Sequence, residues 1–213
     1  MTGSDIALKR QLWAGADPLI LASTSETRRA LLASAGLDAE VLAANVDERA
    51  FERRYFADNG SLADLAARLA EAKAHVVSAL RPEAYCLGAD QTLTLGDTLL
   101  HKPRSLDEAT ETLAALSGRT HRLTSAFCIA RAGRTLVVDT DRADLQMRAF
   151  DRQTIARYLD LAGPAALSSV GAYQIEGLGV NLFDRFEGDF ATILGIPMLK
   201  LLAWLRRERL VSL

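Results

Sequence analysis

The chain has 213 residues, of which 49% are apolar and 24% charged, and a formal net charge of −2. This balance suits a folded protein of one large domain or two lobes and excludes a disordered chain. The near-neutral charge excludes a protein built to coat nucleic acid, although a small basic pocket stays open.

Residues 1–18 read as an N-terminal extension, and 19–213 as a single domain. Leu19 to Ala22 is a short apolar run that reads as a buried strand. It leads through Ser23, Thr24 and Ser25 into a helix from Arg28 to Ala35, with Ala30, Leu31, Leu32 and Ala35 inward and Gly36 as its stop. A second strand over Glu40–Ala44 leads to Glu48, and Phe51–Asn59 has no clear period. Ser61 with Asp64 reads as a capping box opening a helix to Leu80. Its apolar stripe includes Leu65, Ala66, Leu69, Val76, Val77 and Leu80, and at about 100° per residue Lys73 falls near the middle of it. Tyr85–Asp90 is a strand with an acidic end, and Thr92–Leu95 and Thr98–Leu100 make a hairpin about Gly96-Asp97. Lys102-Pro103 ends the hairpin. Ser105 and Glu108 cap a helix to Leu116, and His121–Arg131 with Thr135–Met147 make a long antiparallel pair. Asp151 caps a helix to Ala162, Gly171–Gly188 runs through tight turns, and Pro197 opens a last helix in which Leu199, Leu202 and Leu205 make one face. Strands alternating with helices around one long hairpin imply a mixed α/β fold. Cys86 and Cys128 lie in separate apolar runs without metal-ligand spacing and read as reduced thiols. The N-terminus does not resemble a signal peptide, and the C-terminal apolar region is broken by Pro197 and Lys200, so a cytoplasmic protein with no membrane partner is expected.

The chemistry gathers where predicted strands end. The hydroxyls of Ser23–Ser25 feed a helix whose first turn carries Arg28 and Arg29. Two cations there oppose the helix dipole unless an anion lies between them and the helix end, which suits a bound phosphate. The competing reading is a surface arginine pair behind a capping serine. The turn is not a Walker A loop, because its glycines and Gly-Lys-Ser/Thr ending are absent. Asp90 can hold a metal, accept a proton or serve as a turn residue, and Lys73 either snorkels from a core edge or aims into a cleft. With Glu48 and Lys102, these groups suit a polyphosphate carried with a hard divalent ion. The three histidines, His75, His101 and His121, lack metal-ligand spacing and read as satisfied or solvated.

Leu21-Ala22-Ser23-Thr24-Ser25 with Arg28-Arg29, and Gly88-Ala89-Asp90-Gln91-Thr92, resemble the Maf family. So do Lys102-Pro103, Leu116 to His121, Gly171-Ala172-Tyr173 with Glu176-Gly177, and Gly195-Ile196-Pro197, in family order. The resemblance implies an ITPase-like mixed sheet with flanking helices, two lobes around a nucleotide cleft, and a homodimer. It implies a nucleoside triphosphate pyrophosphatase that cleaves between the α and β phosphates. By motif, Ser23 and Arg28 match the phosphate loop, Lys73 and Lys102 the family lysines, and Asp90 the proton acceptor that activates water. Glu48 and Asp90 would share a magnesium or manganese ion with the phosphates. One branch, acting on dTTP and UTP, carries arginine, threonine and glutamine at the places of Thr27, Gln91 and Glu176. A branch resembling 7-methyl-GTP pyrophosphatase carries tryptophan, glutamine and glutamate there, and this chain shares its Gln91 and Glu176 but not its tryptophan. Glu176 suits the donor edge of a guanine-like base. The rival functions are a nucleotide-binding regulator of cell division without turnover, and a phosphohydrolase releasing the terminal phosphate.

Overall fold

The structure, a computed structural model, describes residues 12–213; residues 1–11 of the expected extension lie outside it. A seven-stranded mixed sheet comprises β1 (Leu19–Leu21), β2 (Glu40–Val41), β3 (Tyr85–Leu95), β4 (Thr98–Leu100), β5 (Thr120–Arg131), β6 (Arg134–Met147) and β7 (Phe183–Glu187). Their order is β2-β1-β3-β5-β6-β7, with β4 paired to β3. β1 runs parallel to β2 and β3, whereas β4 and β7 pair antiparallel with β3 and β6. The flanking helices are α1 (Glu26–Ser34), α2 (Glu48–Ala57), α3 (Leu65–Leu80), α4 (Leu106–Leu116), α5 (Arg152–Ala162), α6 (Phe190–Ile193) and α7 (Met198–Arg207). The expected mixed α/β architecture is present.

The residues gather into two compact units. The first holds the described chain up to Asp90, Ser125–Asp141 and Leu194–Leu213; the second holds Gln91–Thr124 and Arg142–Ile193.

In the first unit, Ile20, Ala22, Val77, Ala84 and Cys86 form one buried cluster, and Ala66, Ala70, Ala74, Ala126, Cys128 and Ala130 another. The second is built almost wholly of alanine, so α3 lies close to the sheet. Gly88 marks the closest approach: a Cβ there would sit 2.0 Å from the Ala70 carbonyl oxygen. Residues 12–17 are stitched into this unit. Trp13 bridges Val211, and the Asp17 carboxylate pairs with Arg131 at 2.5 Å.

Several local expectations shift. Phe51–Asn59, without a clear period in the sequence, lies largely in α2, which is capped by Asp47 and buries no residue. The Ser61 hydroxyl accepts from Ala63 N–H instead of Asp64, so a 3-10 turn over Leu62–Asp64 precedes α3. On α3 the buried face is Leu65, Ala66, Leu69, Ala70, Lys73, Ala74, Val77 and Ser78, and Val76 and Leu80 are exposed. On α7 the inward residues are Met198, Leu201, Trp204 and Leu205, while Leu199 is 66% exposed. Two apolar stripes run along that helix, and periodicity alone does not choose between them. On α1, Leu32 is buried as expected but Ala30 is exposed.

In the second unit, Gly96-Asp97 closes the β3–β4 hairpin, with Leu95 opposite Thr98. The Ser105 hydroxyl accepts from Glu108 N–H, and the Glu108 carboxylate accepts from Arg104 N–H, one residue earlier than a standard box. Asp151 caps α5 by accepting from Thr154 N–H at 2.8 Å. α4 and α5 pack together, and Leu113 and Leu116 on the first and Ile155 and Leu159 on the second are buried, each worth about 1.5–3 kcal/mol on burial. The glycine-rich stretch holds β7 as well as turns, with a register shift between Gln146 and Met147 opposite it.

Candidate functional site

The site begins with the β1–α1 junction. Ala22 N–H donates to the Leu87 carbonyl at 2.8 Å, which brings the chain beyond Ala22 level with Gly88-Ala89-Asp90. Ser23 Oγ accepts from Ser25 N–H at 3.2 Å, and Ser25 Oγ accepts from Arg28 N–H at 3.4 Å, capping α1. The two serines shape the turn that opens the helix, as its hydroxyl pattern predicts. Arg28 points back over the turn, donating Nη1 to Ser23 Oγ at 3.4 Å and Nε to the Gly195 carbonyl at 3.0 Å. Arg29 faces solvent and pairs with Glu26 at 2.7 Å. The two arginines thus part: Arg28 lies against Ser23 and Gly195, and Arg29 lies at the surface.

β3 runs unbroken through Asp90, so Asp90 lies in mid-strand and not at the strand end the sequence suggests. Asp90 is only 6% exposed. Lys73, 8% exposed on the inner face of α3, donates to Asp90 Oδ1 at 2.5 Å and pairs with Glu48 Oε1 at 2.5 Å. Lys73 is therefore no snorkelling core-edge residue; its ammonium joins two carboxylates. Glu48 comes from the first residue of α2 and is half-exposed.

Burial pushes the Asp90 carboxyl above its ordinary range, against the pull of Lys73 and Arg28, and Glu48 adds to the rise. Burial likewise lowers the Arg28 guanidinium, while Asp90 and Glu48 draw it back up. The cluster thus couples two cations with two anions, one of them a buried carboxylate held nearer to neutrality. Such a carboxylate can take a proton from a nearby water.

Gln91, Lys102 and Glu176 belong to the second unit. The Gln91 amide nitrogen donates to the Thr192 and Ile193 carbonyls at 3.0 and 2.9 Å, so its donor end is spent on the α6 backbone. Lys102 and Glu176 are exposed, and Thr27 is half-buried in the first turn of α1.

Among the described residues no group of three or more His, Cys, Asp or Glu side chains could hold a metal. Asp90 and Glu48 are brought together by the Lys73 ammonium, so the protein places two hard carboxylates side by side, each with one oxygen turned to the lysine. Magnesium commonly takes one or two carboxylates and completes its shell with water and phosphate, so the pair fits that ion.

Two contacts are not foreseen by the sequence. Gly195, known from the sequence only as part of the Gly195-Ile196-Pro197 block, receives the Arg28 side chain on its carbonyl. His121 is 2% exposed; its Nε2 lies 2.7 Å from the Tyr173 hydroxyl, and Nδ1 has no hydrogen-bond partner among the described residues. The expected satisfied histidine is therefore only half satisfied.

Among known proteins, the chain is 48% identical over 202 residues to a nucleoside triphosphate pyrophosphatase of Nitrobacter winogradskyi, covering 95% of this chain and 99% of the relative. It is 51% identical over 190 residues to a 7-methyl-GTP pyrophosphatase of Mesorhizobium japonicum, covering 89% and 96%. A 7-methyl-GTP pyrophosphatase of Brucella abortus is 47% identical over 194 residues, covering 91% and 98%. The family described as Maf-like protein matches residues 18–208, from the residue before β1 through all of α7, and the chain belongs to that family.

Proposed function

We propose that this protein is a nucleoside triphosphate pyrophosphatase that hydrolyses the α–β phosphoanhydride of modified or non-standard nucleotides, giving a nucleoside monophosphate and diphosphate. The observation that carries this reading is the buried Asp90–Lys73 pair with Glu48, in the same unit as the Ser23–Arg28 turn. The relatives' names support the same reaction class.

In this reading the α1 turn and the Arg28 guanidinium bind phosphate oxygens, where fixed donors and positive charge need no rearrangement as charge builds. Asp90 accepts the proton of the water that attacks the α-phosphorus, and its raised affinity for protons makes it a better base than an exposed aspartate. Lys73 holds the Asp90 carboxylate in place and offsets the negative charge gathered there. Glu48 and Asp90 would hold a magnesium or manganese ion, which supplies charge neutralisation to the phosphates when bound. Lys102 is assigned a catalytic role and Thr27, Gln91 and Glu176 substrate contacts by their place in the family motifs. The homodimer is also part of the proposal and is testable by light scattering. A reducing cytoplasmic setting agrees with two buried free thiols. No helix among the described residues is long and apolar enough to cross a membrane.

The test is a panel of standard and modified nucleoside triphosphates, including 7-methyl-GTP, incubated with magnesium or manganese and resolved by anion exchange. Monophosphate with diphosphate is the expected pair, with 7-methyl-GTP among the faster substrates. Orthophosphate with a nucleoside diphosphate would contradict the reading. Tight binding without products, unchanged in Asp90→Asn, would favour the regulator.

A further inference from the structure

Arg28 poses a placement problem. Its guanidinium is drawn toward Asp90 and Glu48, yet those carboxylates already hold Lys73. An arginine that collapsed onto them would turn its donors away from a ligand. The structure shows what holds it back: Nε–H donates at 3.0 Å to the carbonyl of Gly195, a residue 167 positions away in the chain. Nη1 reaches Ser23 Oγ at 3.4 Å, and the two contacts fix the guanidinium plane.

A side chain at position 195 would press on Arg28. A Cβ there would lie 3.2 Å from Arg28 Nε, 3.4 Å from Nη2 and 3.7 Å from Cζ. Its φ of 105° lies in the region that L side chains rarely adopt. The residue therefore supplies an acceptor and lets the guanidinium lie against the backbone. The segment between α6 and α7, which has no other evident chemical task, thereby reaches the phosphate turn.

We infer that Gly195 is a positioning residue for phosphate binding: its carbonyl tethers the Nε edge of Arg28, leaving the outer guanidinium edge to the nucleotide phosphates. This rests on the proposed role of Arg28 as a phosphate ligand.

A double-mutant cycle tests it, with the dissociation constant of guanosine 5′-(α,β-methylene)triphosphate measured by calorimetry and folding checked by circular dichroism. Gly195→Ala is expected to weaken binding by about 10-fold or more beside Arg28, because small misplacements of a positioned group are costly. In the Arg28→Lys background the same change should cost no more than about 2-fold, since coupling vanishes with the partner. Because Gly195→Ala also strains the backbone, a second variant replaces the Gly195–Ile196 amide by an ester. The ester weakens the carbonyl acceptor without adding a side chain. It should weaken binding several-fold and speed hydrogen exchange at the Arg28 Nε–H in the ligand-free protein. Equal losses of binding in both backgrounds, or an ester with unchanged affinity and exchange, would overturn the proposal. Should Arg28→Lys by itself leave affinity at the wild-type value, the premise fails; the exchange measurement on the free protein separates that failure from failure of the tether.

Discussion

At the residue scale, the informative group is Asp90, because its neighbours pull its acidity in opposite directions. Burial and Glu48 raise it, Lys73 and Arg28 lower it, and burial is the largest of these. Carbon-13 titration of the Asp90 carboxyl in metal-free protein should therefore give a midpoint above the ordinary value of about 3.9. Lys73→Met removes a lowering charge and should move the midpoint further up. Glu48→Gln removes a raising one and should move it down. Shifts of the same sign in both variants would contradict the charge arrangement. For the reaction, Asp90→Asn should lower kcat by about 10²–10⁴-fold, the usual worth of a general base, while circular dichroism stays unchanged.

At the element scale, α3 and β3 must lie close enough for Lys73 and Asp90 to meet, and Gly88 permits it. Gly88→Ala would drive a Cβ into the Ala70 carbonyl, and the forced separation should cost about 1–3 kcal/mol, read by urea unfolding, with a large loss of turnover. On α7, Leu201→Ala should cost about 2–5 kcal/mol as a core deletion. Leu199→Ser, on the exposed face, should stay within about 0.5 kcal/mol. The same elements show what a sequence can reveal. The hydroxyl-rich turn that opens α1 and the place of Lys73 on the apolar stripe of α3 were legible because each follows from local spacing, although α1 begins at Glu26, two residues before the expected Arg28. The continuity of β3 was not. Asp90 and Gln91 look like a strand end because polar residues interrupt an apolar run, yet both are satisfied by partners from distant sequence, Lys73 and the α6 carbonyls. The contact of Arg28 with Gly195 was equally hidden, since a backbone acceptor leaves no pattern of its own.

At the scale of the whole molecule, the pH dependence of stability has an identifiable source in His121. Burial lowers its pKa from 6.5 to about 4. The unfolded chain then binds a proton between those two values that the folded chain does not, so stability is full above about pH 6.5 and falls as pH drops toward 4. From pH 7 to pH 5 this group should account for about 2 kcal/mol of lost stability in urea titrations. His121→Gln should flatten that slope, and an unchanged slope would point to other groups.

The central claim is that water attacks the α-phosphorus of a nucleoside triphosphate. Turnover of 7-methyl-GTP in water enriched in oxygen-18, followed by mass spectrometry of the products, tests it most directly. The expected result is one heavy oxygen in the nucleoside monophosphate and none in the diphosphate released. Heavy oxygen in the diphosphate, or in free orthophosphate beside a nucleoside diphosphate, would contradict it.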